Sequence, residues 1–329
     1  MAFPNISDII ATTIESRTKK IADNVTYNNA LLARLNQRGN IKPVSGGSII
    51  YEELSFQANP NASWYSGYDL LPVNAADVIS AAQFLFKQIA VPVVISGLEQ
   101  LQNAGKEQMI DLMEARLSVA ESSMANLMAQ GVYSDGSGYG GKQIVGLDAI
   151  APVTATASQT NTYAGISRST WSFWRSYSPG TQALPTSSTI QGVMNTTWAN
   201  LVRGMDRPDL VIMDNNYWSA YVASLQLIQR FTDPEQANLG FPSVKFMDAD
   251  VVLDGGINGY AYTSSTTKGA MYFLNTKYLR LRPHKDRNMV PLSPNRRYSI
   301  NQDAEVQILA WAGALTCNGA QFQGRYQTT

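Results

Sequence analysis

One glycine-rich run has the spacing of a loop that binds dinucleotide phosphates. Residues 136–141 read Gly-Ser-Gly-Tyr-Gly-Gly, a GxGxxG pattern. Such a loop must follow a strand and open a helix, because backbone amides and the helix N-terminus together bind the pyrophosphate. This run instead follows a long predicted helix. It therefore indicates a flexible connector, and no cofactor is expected.

Three aspartates have part of the spacing of a calcium-binding loop. Asp248, Asp250 and Asp254 place three carboxylates close together in the sequence. A calcium loop needs a further oxygen ligand where Val252 stands and a glutamate at its end, and the sequence has neither. These aspartates are therefore expected at strand ends and turns, and no metal site is predicted.

A single histidine, His284, is the remaining candidate for catalysis. It cannot form a typical zinc site with the single cysteine, Cys317, because the two have no paired spacing. Service as a general base would need an oriented nucleophile beside it. Asp286 is near in sequence, but residues 282–287 have the composition of a polar surface loop. No catalytic residue is predicted, so the chain is not expected to be an enzyme.

One charged constellation is left, an acidic helix face and four later arginines that could pair with it. We expect the acidic side chains on the solvated or intersubunit side of their helix. The residues are Glu107, Asp111 and Glu114, with Arg280, Arg282, Arg296 and Arg297.

The helix that carries the acidic residues is predicted to be unusually long. Ser96 and Glu99 have the spacing of a capping box, and Gly131 is expected to end the helix. Apolar residues between them recur every three or four positions, which predicts a one-sided stripe. Counted from Leu98, the rod is about 50 Å long at about 1.5 Å per residue.

A long two-stranded arm precedes the helix. It leaves at a hinge, Gly46 and Gly47, runs outward as residues 48–56 and returns as residues 82–95. A hairpin of this size has too little core to stand alone in water, so a neighbouring copy is expected to cover it.

The turn-rich tip of the arm, residues 59–68, carries Trp64, Tyr65 and Tyr68, and the arm has no Lys or Arg between Ser48 and Phe86. Tyrosine and tryptophan dominate interface energetics, which predicts an assembly contact at the tip. The alternative is an exposed hairpin with incidental aromatics.

Composition narrows the class of protein. The 329 residues are 44% hydrophobic and 15% charged, and 25 basic side chains balance 25 acidic ones. A neutral chain has no bulk attraction to nucleic acid or to an anionic membrane. The lone cysteine suits a reducing compartment, and the sequence shows no signal peptide and no apolar run long enough to span a bilayer.

The remaining segments mix helices and strands, which predicts an α+β fold. Amphipathic helix is expected within residues 6–35. Further helices are expected over 189–205 and 216–230, and strands over 209–214, 244–281 and 305–315.

In this order the segments resemble the major capsid proteins of tailed phages, which share the Hong Kong 97-type fold with encapsulin shells. No one motif is specific, but their order and spacing together are. They are the helix end 29–35, the Gly46-Gly47 arm, the Met-rich helix, the run 144–147 after the Gly-rich loop, residues 207–213, and the terminal strand 306–315.

The resemblance implies four structural regions. Residues 1–45 form an N-terminal arm, and residues 46–95 form the extended loop that overlaps the adjacent subunit. Residues 96–150 with 291–329 form a peripheral domain with a long spine helix, and residues 151–290 form an axial domain.

The resemblance also implies function and partners. Hexamers and pentamers of the chain would close an icosahedral shell of a virion, assembled in the host cytoplasm. Expected partners are a portal, a separate scaffolding protein, a decoration protein, and packaged DNA without sequence specificity, which the four arginines could contact through phosphates. Covalent cross-linking is not expected, because the loop offers only Lys87.

Two alternatives stay open at the level of sequence. An encapsulin-type compartment shares the fold and encloses cargo enzymes. A soluble enzyme or sugar-binding adhesin with a long hairpin would instead show a defined pocket, and no convergent polar constellation supports it.

Overall fold

The computed structural model describes residues 29–96, 98, 106–225, 243–254, 269–292, 297–298 and 304–328. Its helices are α1 (Ala30–Gln37), α2 (Lys106–Tyr133), the single turn α3 (Leu147–Ile150), α4 (Ile190–Leu201) and α5 (Asn215–Ser224). Its strands are β1 (Ile49–Ser55), β2 (Ile79–Leu85), β3 (Lys87–Ser96), β4 (Thr162–Tyr163), β5 (Ile166–Ser167), β6 (Thr181–Gln182), β7 (Leu210–Met213), β8 (Ser243–Phe246), β9 (Ala249–Leu253), β10 (Ala270–Leu274), β11 (Leu279–Pro291), β12 (Arg297–Tyr298), β13 (Ala304–Cys317) and β14 (Gly324–Thr328).

A mixed six-stranded sheet, ordered β6-β14-β10-β7-β9-β8, forms one half of the fold. The central strand β7 is buried along its whole length, as a continuous apolar run predicts for a strand covered on both faces. Helices α4 and α5 share one apolar cluster with this sheet, in which Trp198 and Tyr221 pack against Phe246.

A second sheet is built on the two longest strands, β11 and β13, which pair antiparallel. Strand β3 pairs with β13 over its full length, from Lys87 opposite Gly313 to Ser96 opposite Ala304. Helix α2 contacts β3, and their buried side chains join one hydrophobic cluster with Trp311. The long helix and the long sheet therefore form a single packed layer pair.

The predicted end of the long helix is wrong. Helix α2 passes through Gly131 and ends at Tyr133. A Cβ atom at Gly131 would overlap the Cγ2 atom of Ile144, so the glycine serves close packing and not termination. At about 1.5 Å per residue α2 is about 42 Å long. Glu99, the partner in the predicted capping box, lies outside the described residues.

The returning strand of the arm is two strands. Residues 79–85 form β2, which pairs with β1 from Ile49 opposite Leu85 to Ser55 opposite Ile79. After Phe86 the chain enters β3 and pairs with β13. The two-stranded arm therefore ends at Leu85, because only β1 is available as a partner for β2, whereas β3 has the whole of β13.

Sheet membership departs from the predicted domain boundaries at two more strands. Most of β11 falls within the predicted axial region, but it pairs with β13 in the second sheet. Strand β14 falls within the predicted peripheral region, but it pairs with β10 and β6 in the six-stranded sheet. Local sequence identifies a strand but not its partner, since these partners lie far away in the chain.

The structure describes the predicted N-terminal helix only from Asn29. The Asn29 side chain accepts hydrogen bonds from the amides of Leu31 and Leu32 and so caps α1.

Within the described ranges, no helix combines the length and apolarity that a bilayer crossing requires.

Candidate assembly surface

The proximal half of the arm is docked on its own subunit by one face. Side chains alternate along β1, so that Ile50, Glu52 and Leu54 point inward while Tyr51 and Glu53 are exposed. The amide of Gln83 on β2 donates to the carbonyl of Ala164 at 2.9 Å. This half therefore has the support that an isolated hairpin lacks.

Aromatic contacts extend the docking to the end of β1. The ring of Phe84 lies edge-on to Tyr163, with centroids 5.9 Å apart. The ring of Phe56 lies edge-on to Trp171 at 5.2 Å. Edge-to-face pairs at these distances add to the stabilisation from burial.

A buried carboxylate ties the arm to the second sheet. Glu52 accepts hydrogen bonds from Arg280 Nη1 at 2.7 Å, Arg282 Nε at 2.6 Å and Thr316 Oγ1 at 2.9 Å. Burial alone raises the pKa of Glu52, but the hydrogen bonds from Arg282 and Thr316 and the charges of both arginines outweigh it. The pKa of Glu52 is therefore held below its ordinary value.

The tip of the arm extends beyond residues 59–68 to the whole distal half, residues 57–78, and the name is used for that range from here on. It is largely exposed and is braced by its own polar side chains. Gln57 Nε2 donates to the carbonyl of Asp77 at 2.8 Å, and Asn61 Nδ2 donates to the carbonyl of Asn74. The amide of Ser66 donates to the Asp69 carboxylate at 2.8 Å. The two sides of the tip are thus joined without a β-ladder.

The tip presents large apolar side chains to solvent. Trp64 is 104% exposed, Tyr68 105% and Leu70 99%, and Tyr65 and Val73 are also exposed. An isolated chain gains nothing from such exposure, and contiguous exposed apolar surface marks interaction sites. The predicted tip residues are therefore free to contact another molecule, and that contact remains a prediction.

The predicted hinge has backbone geometry that favours glycine. Gly47 has φ of 108°, in a region that L side chains rarely adopt, and Gly46 has φ of 156°. No atom lies within 4 Å of the position that a Cβ would occupy at Gly46. Backbone conformation, and not space, therefore restricts substitution here.

The predicted pairing of arginines with the acidic helix face is partly replaced by another pairing. Arg280 and Arg282 bind Glu52 of the arm. Arg296 lies outside the described residues. Four other side chains, those of Glu107, Asp111, Glu114 and Arg297, also lie outside the described part, although their positions fall on α2 and β12.

Glu52 was missed as a site residue, although the sequence carried a signal. Ile50, Glu52 and Leu54 occupy alternate positions, so a strand that buries the two aliphatic side chains must bury the carboxylate as well. Arg280 and Arg282 alternate in the same way on β11. The pairing itself joins residues 228 and 230 positions apart, which no local pattern reveals.

The candidate calcium ligands have three separate sets of partners. Asp248 pairs with Arg207 at 2.6 Å, and Asp250 pairs with Arg34 at 2.8 Å. Asp254 accepts hydrogen bonds from Tyr133 Oη and from Asn29. Asp250 and Asp254 thus hold α1 and the end of α2 to β9, whereas Asp248 pairs with the turn before β7.

The prediction of a polar surface loop at residues 282–287 is wrong, because they lie within β11, where the pairing with β13 shifts register between Pro283 and Asn288. The glycine-rich run is a surface turn. His284 Nδ1 accepts from the Asp286 amide at 3.1 Å and lies 4.0 Å from its carboxylate. Residues 136–141 form a turn just after α2, closed by a bond from the Gly141 amide to the Ser137 carbonyl at 3.0 Å. A polar cleft of about 1040 Å³ lies nearby, but its Asp148 and Arg325 neutralise each other at 2.7 Å.

The sequence matches no family model and no curated protein, whereas several solved structures match it. A chain of the cyanophage A-1(L) capsid asymmetric unit aligns with 89% of this chain and 92% of its own length, with a TM-score of 0.62 and 16% identity. The capsid of a native GTA particle covers 89% of both chains at a TM-score of 0.54 and 11% identity.

A third structure is the satellite phage P4 procapsid including size determination (Sid) protein. It covers 94% of this chain and 90% of its own, with a TM-score of 0.53 and 12% identity. These likenesses establish the fold: the chain has the α+β Hong Kong 97-type capsid fold that the order of its segments implied. It resembles tailed-phage capsid proteins over about nine-tenths of its length.

Proposed function

We propose that this chain is the major capsid protein of a tailed double-stranded DNA bacteriophage. In this proposal, hexamers and pentamers of the chain tile an icosahedral shell around the genome. The observation that carries it is the arm, docked on its own subunit to Phe56 and exposing Trp64 and Tyr68 beyond that point. A capsid fold with an exposed apolar arm is what a shell subunit requires, because each copy must overlap another.

The proposed role is structural. Shells are held by broad, repeated contacts, and the exposed aromatic and aliphatic side chains of the tip suit such interfaces. A separate scaffolding protein, a portal, a decoration protein and packaged DNA are the partners we infer for the assembled virion in the host cytoplasm. The structural relatives are particles of phages and of a GTA, which supports this function over an encapsulin-type compartment.

Electron microscopy of the purified full chain tests the proposal. The chain is expressed alone and with scaffold candidates, separated by size, and the largest fraction is imaged in negative stain. Closed shells or rings of five and six copies are expected. A chain that stays monomeric under every one of these conditions would overturn the proposal.

A further inference from the structure

Four basic side chains surround the point where the arm joins the second sheet. We call this group the basic foot; it consists of Lys87, Lys142, Lys285 and Arg287. Lys87 Nζ donates to the Gly141 carbonyl at 2.5 Å, which places it beside Lys142. Arg287 Nη1 donates to Gln88 Oε1 at 3.1 Å, and the rings of Phe86 and His284 lie 6.0 Å apart. These contacts bring three separate chain segments together.

The basic foot keeps a net positive charge even when Asp286 is counted, since four cations lie beside that one carboxylate. Across the described ranges, none of its four side chains forms an ion pair with a carboxylate. Asp286 lies among them, but its carboxylate is 4.0 Å from His284. Lys142, Lys285 and Arg287 are exposed. Because the whole chain is neutral, this local excess of positive charge must be balanced elsewhere.

The arm carries the opposite charge. Between Ser48 and Phe86 it has four acidic residues and no Lys or Arg. Glu52 is used internally, whereas Glu53, Asp69 and Asp77 have exposed side chains and, in the described part of the chain, no cationic partner. Two of these acids, Asp69 and Asp77, lie in the exposed tip beside its apolar side chains. The tip thus fits a surface that is basic.

The tip of the arm cannot reach the basic foot of its own subunit. Lys87 lies two residues beyond the proximal end of β2, whereas Asp77 lies beyond the distal end. Strand β2 alone spans about 20 Å, at about 3.3 Å per residue. The ring of Phe56, just after the distal end of β1, is held against Trp171 at 5.2 Å, so the distal end of β1 is fixed on its own chain. A tip that meets a basic foot must therefore belong to another copy.

We propose that the acidic tip of each extended arm binds the basic foot of the next copy. This inference rests on the proposed function and adds the residues that would receive the arm. A contact between two different surfaces of identical chains is head-to-tail, and such contacts close into rings when the rotation permits. Charge would select the register of the ring, and the exposed aromatics would supply most of the affinity.

Charge exchange between tip and foot tests the inference. One variant carries Asp69→Asn with Asp77→Lys, which keeps the Ser66 turn acceptor; a second carries Lys285→Glu with Arg287→Glu. Each alone is expected to reduce the fraction of assembled protein by about tenfold or more, since like charges then face each other. Arg203→Glu is the control and should assemble normally, because Arg203 is exposed on the turn before β7 and its side chain hydrogen-bonds to Gln321 rather than to a carboxylate.

Recombining the changes gives a result that a purely structural role would not produce. All four changes in one chain should restore both five- and six-membered rings. An equal mixture of the two variants should restore six-membered rings but not five-membered ones. Every tip meets a foot of opposite charge only when the two variants alternate around the ring, and a ring of five cannot alternate. The loss of assembled protein in the tip variant alone and in the foot variant alone should also be smaller in high salt, where exposed charges are screened.

Four outcomes separate the inference from its alternatives. The tip-to-foot contact would be overturned if the wild type forms shells and the tip variant and the foot variant each assemble as well as it does. It would also be overturned if the chain with all four changes assembles no better than either variant alone. Both results leave the proposed function intact. Normal assembly of the Lys285→Glu, Arg287→Glu variant with loss of bound nucleic acid would make the foot a phosphate-binding surface, which also overturns the contact. A wild-type chain that forms no particle at all would overturn both proposals.

Discussion

At the scale of single residues, Glu52 explains how a long arm keeps one direction. Its carboxylate receives three hydrogen bonds from two strands of the second sheet, at 2.6 to 2.9 Å. The arginines are each about a quarter exposed or less, so water partly offsets the loss of their partner. The contacts of Glu52 therefore fix the orientation of the arm in addition to stabilising the fold.

Replacement of Glu52 should loosen the arm and destabilise the subunit. Glu52→Gln leaves two arginines without a carboxylate, and we expect a loss of about 2 kcal/mol in the free energy of unfolding. Denaturant unfolding measures the loss, and hydrogen exchange of the β1 and β2 amides should rise. Glu53→Gln, on the exposed face of the same strand, should change the free energy by less than about 0.5 kcal/mol. Equal effects of the two substitutions would contradict the pairing.

Acid should remove the same stabilisation. The folded-state pKa of Glu52 lies below its ordinary value, because the hydrogen bonds and charges of Arg282, Thr316 and Arg280 outweigh the effect of burial. Its contribution is therefore fully present above that ordinary value and is lost as the pH falls through the lowered pKa. Unfolding midpoints of wild type and Glu52→Gln should converge between neutral pH and strong acid. A difference that stays constant over that range would show that the charge of Glu52 is not involved.

At the scale of elements, periodicity predicted the long helix and the buried strands but not their limits. Strand β7 and the core of β13 were evident as short apolar runs. The break at Phe86 was not evident, since residues 79–96 have one continuous β-type pattern. Whether a residue there pairs with β1 or with β13 depends on strands that are distant in the sequence. The tip aromatics could be predicted from residue type alone, whereas the Glu52 contacts depend on the assembled sheets.

Gly131 shows why the helix end was mispredicted, and it can be tested against a matched glycine. Alanine normally stabilises a helix interior relative to glycine by about 1 kcal/mol. Gly131→Ala should nevertheless destabilise by about 1–3 kcal/mol, because its Cβ overlaps Ile144. Gly192→Ala in α4 has open space around the Cβ and should stabilise by about 0.5–1 kcal/mol. Thermal unfolding of both variants measures these changes. A Gly131→Ala variant more stable than the wild type would contradict the close packing of Gly131 against Ile144.

At the scale of the whole molecule, the chain separates folding from association. Its two large sheets and the helices α1, α2, α4 and α5 contribute the buried core, while the exposed tip adds nothing to that core. Its charges balance overall but are distributed unevenly between the arm and the basic foot. In the proposed shell, a chain of this design would fold first and associate afterwards.

Substitutions at the tip should therefore affect assembly without affecting folding. Trp64→Ala with Tyr68→Ala should leave the unfolding free energy within about 0.5 kcal/mol of wild type, because both side chains are exposed. The yield of assembled particles should fall by about tenfold or more. Tyr139→Ala removes an exposed aromatic outside the arm and serves as the control. Unchanged assembly of the double variant would exclude the tip as an assembly contact.

The mass of the species formed by the purified full chain tests the shell function most directly. Native mass measurement over a range of protein concentrations, with and without scaffold candidates, resolves multiples of the 36.0 kDa chain. We predict masses of five and six copies together with much heavier closed particles. A single species of 36.0 kDa under all of these conditions would contradict the account.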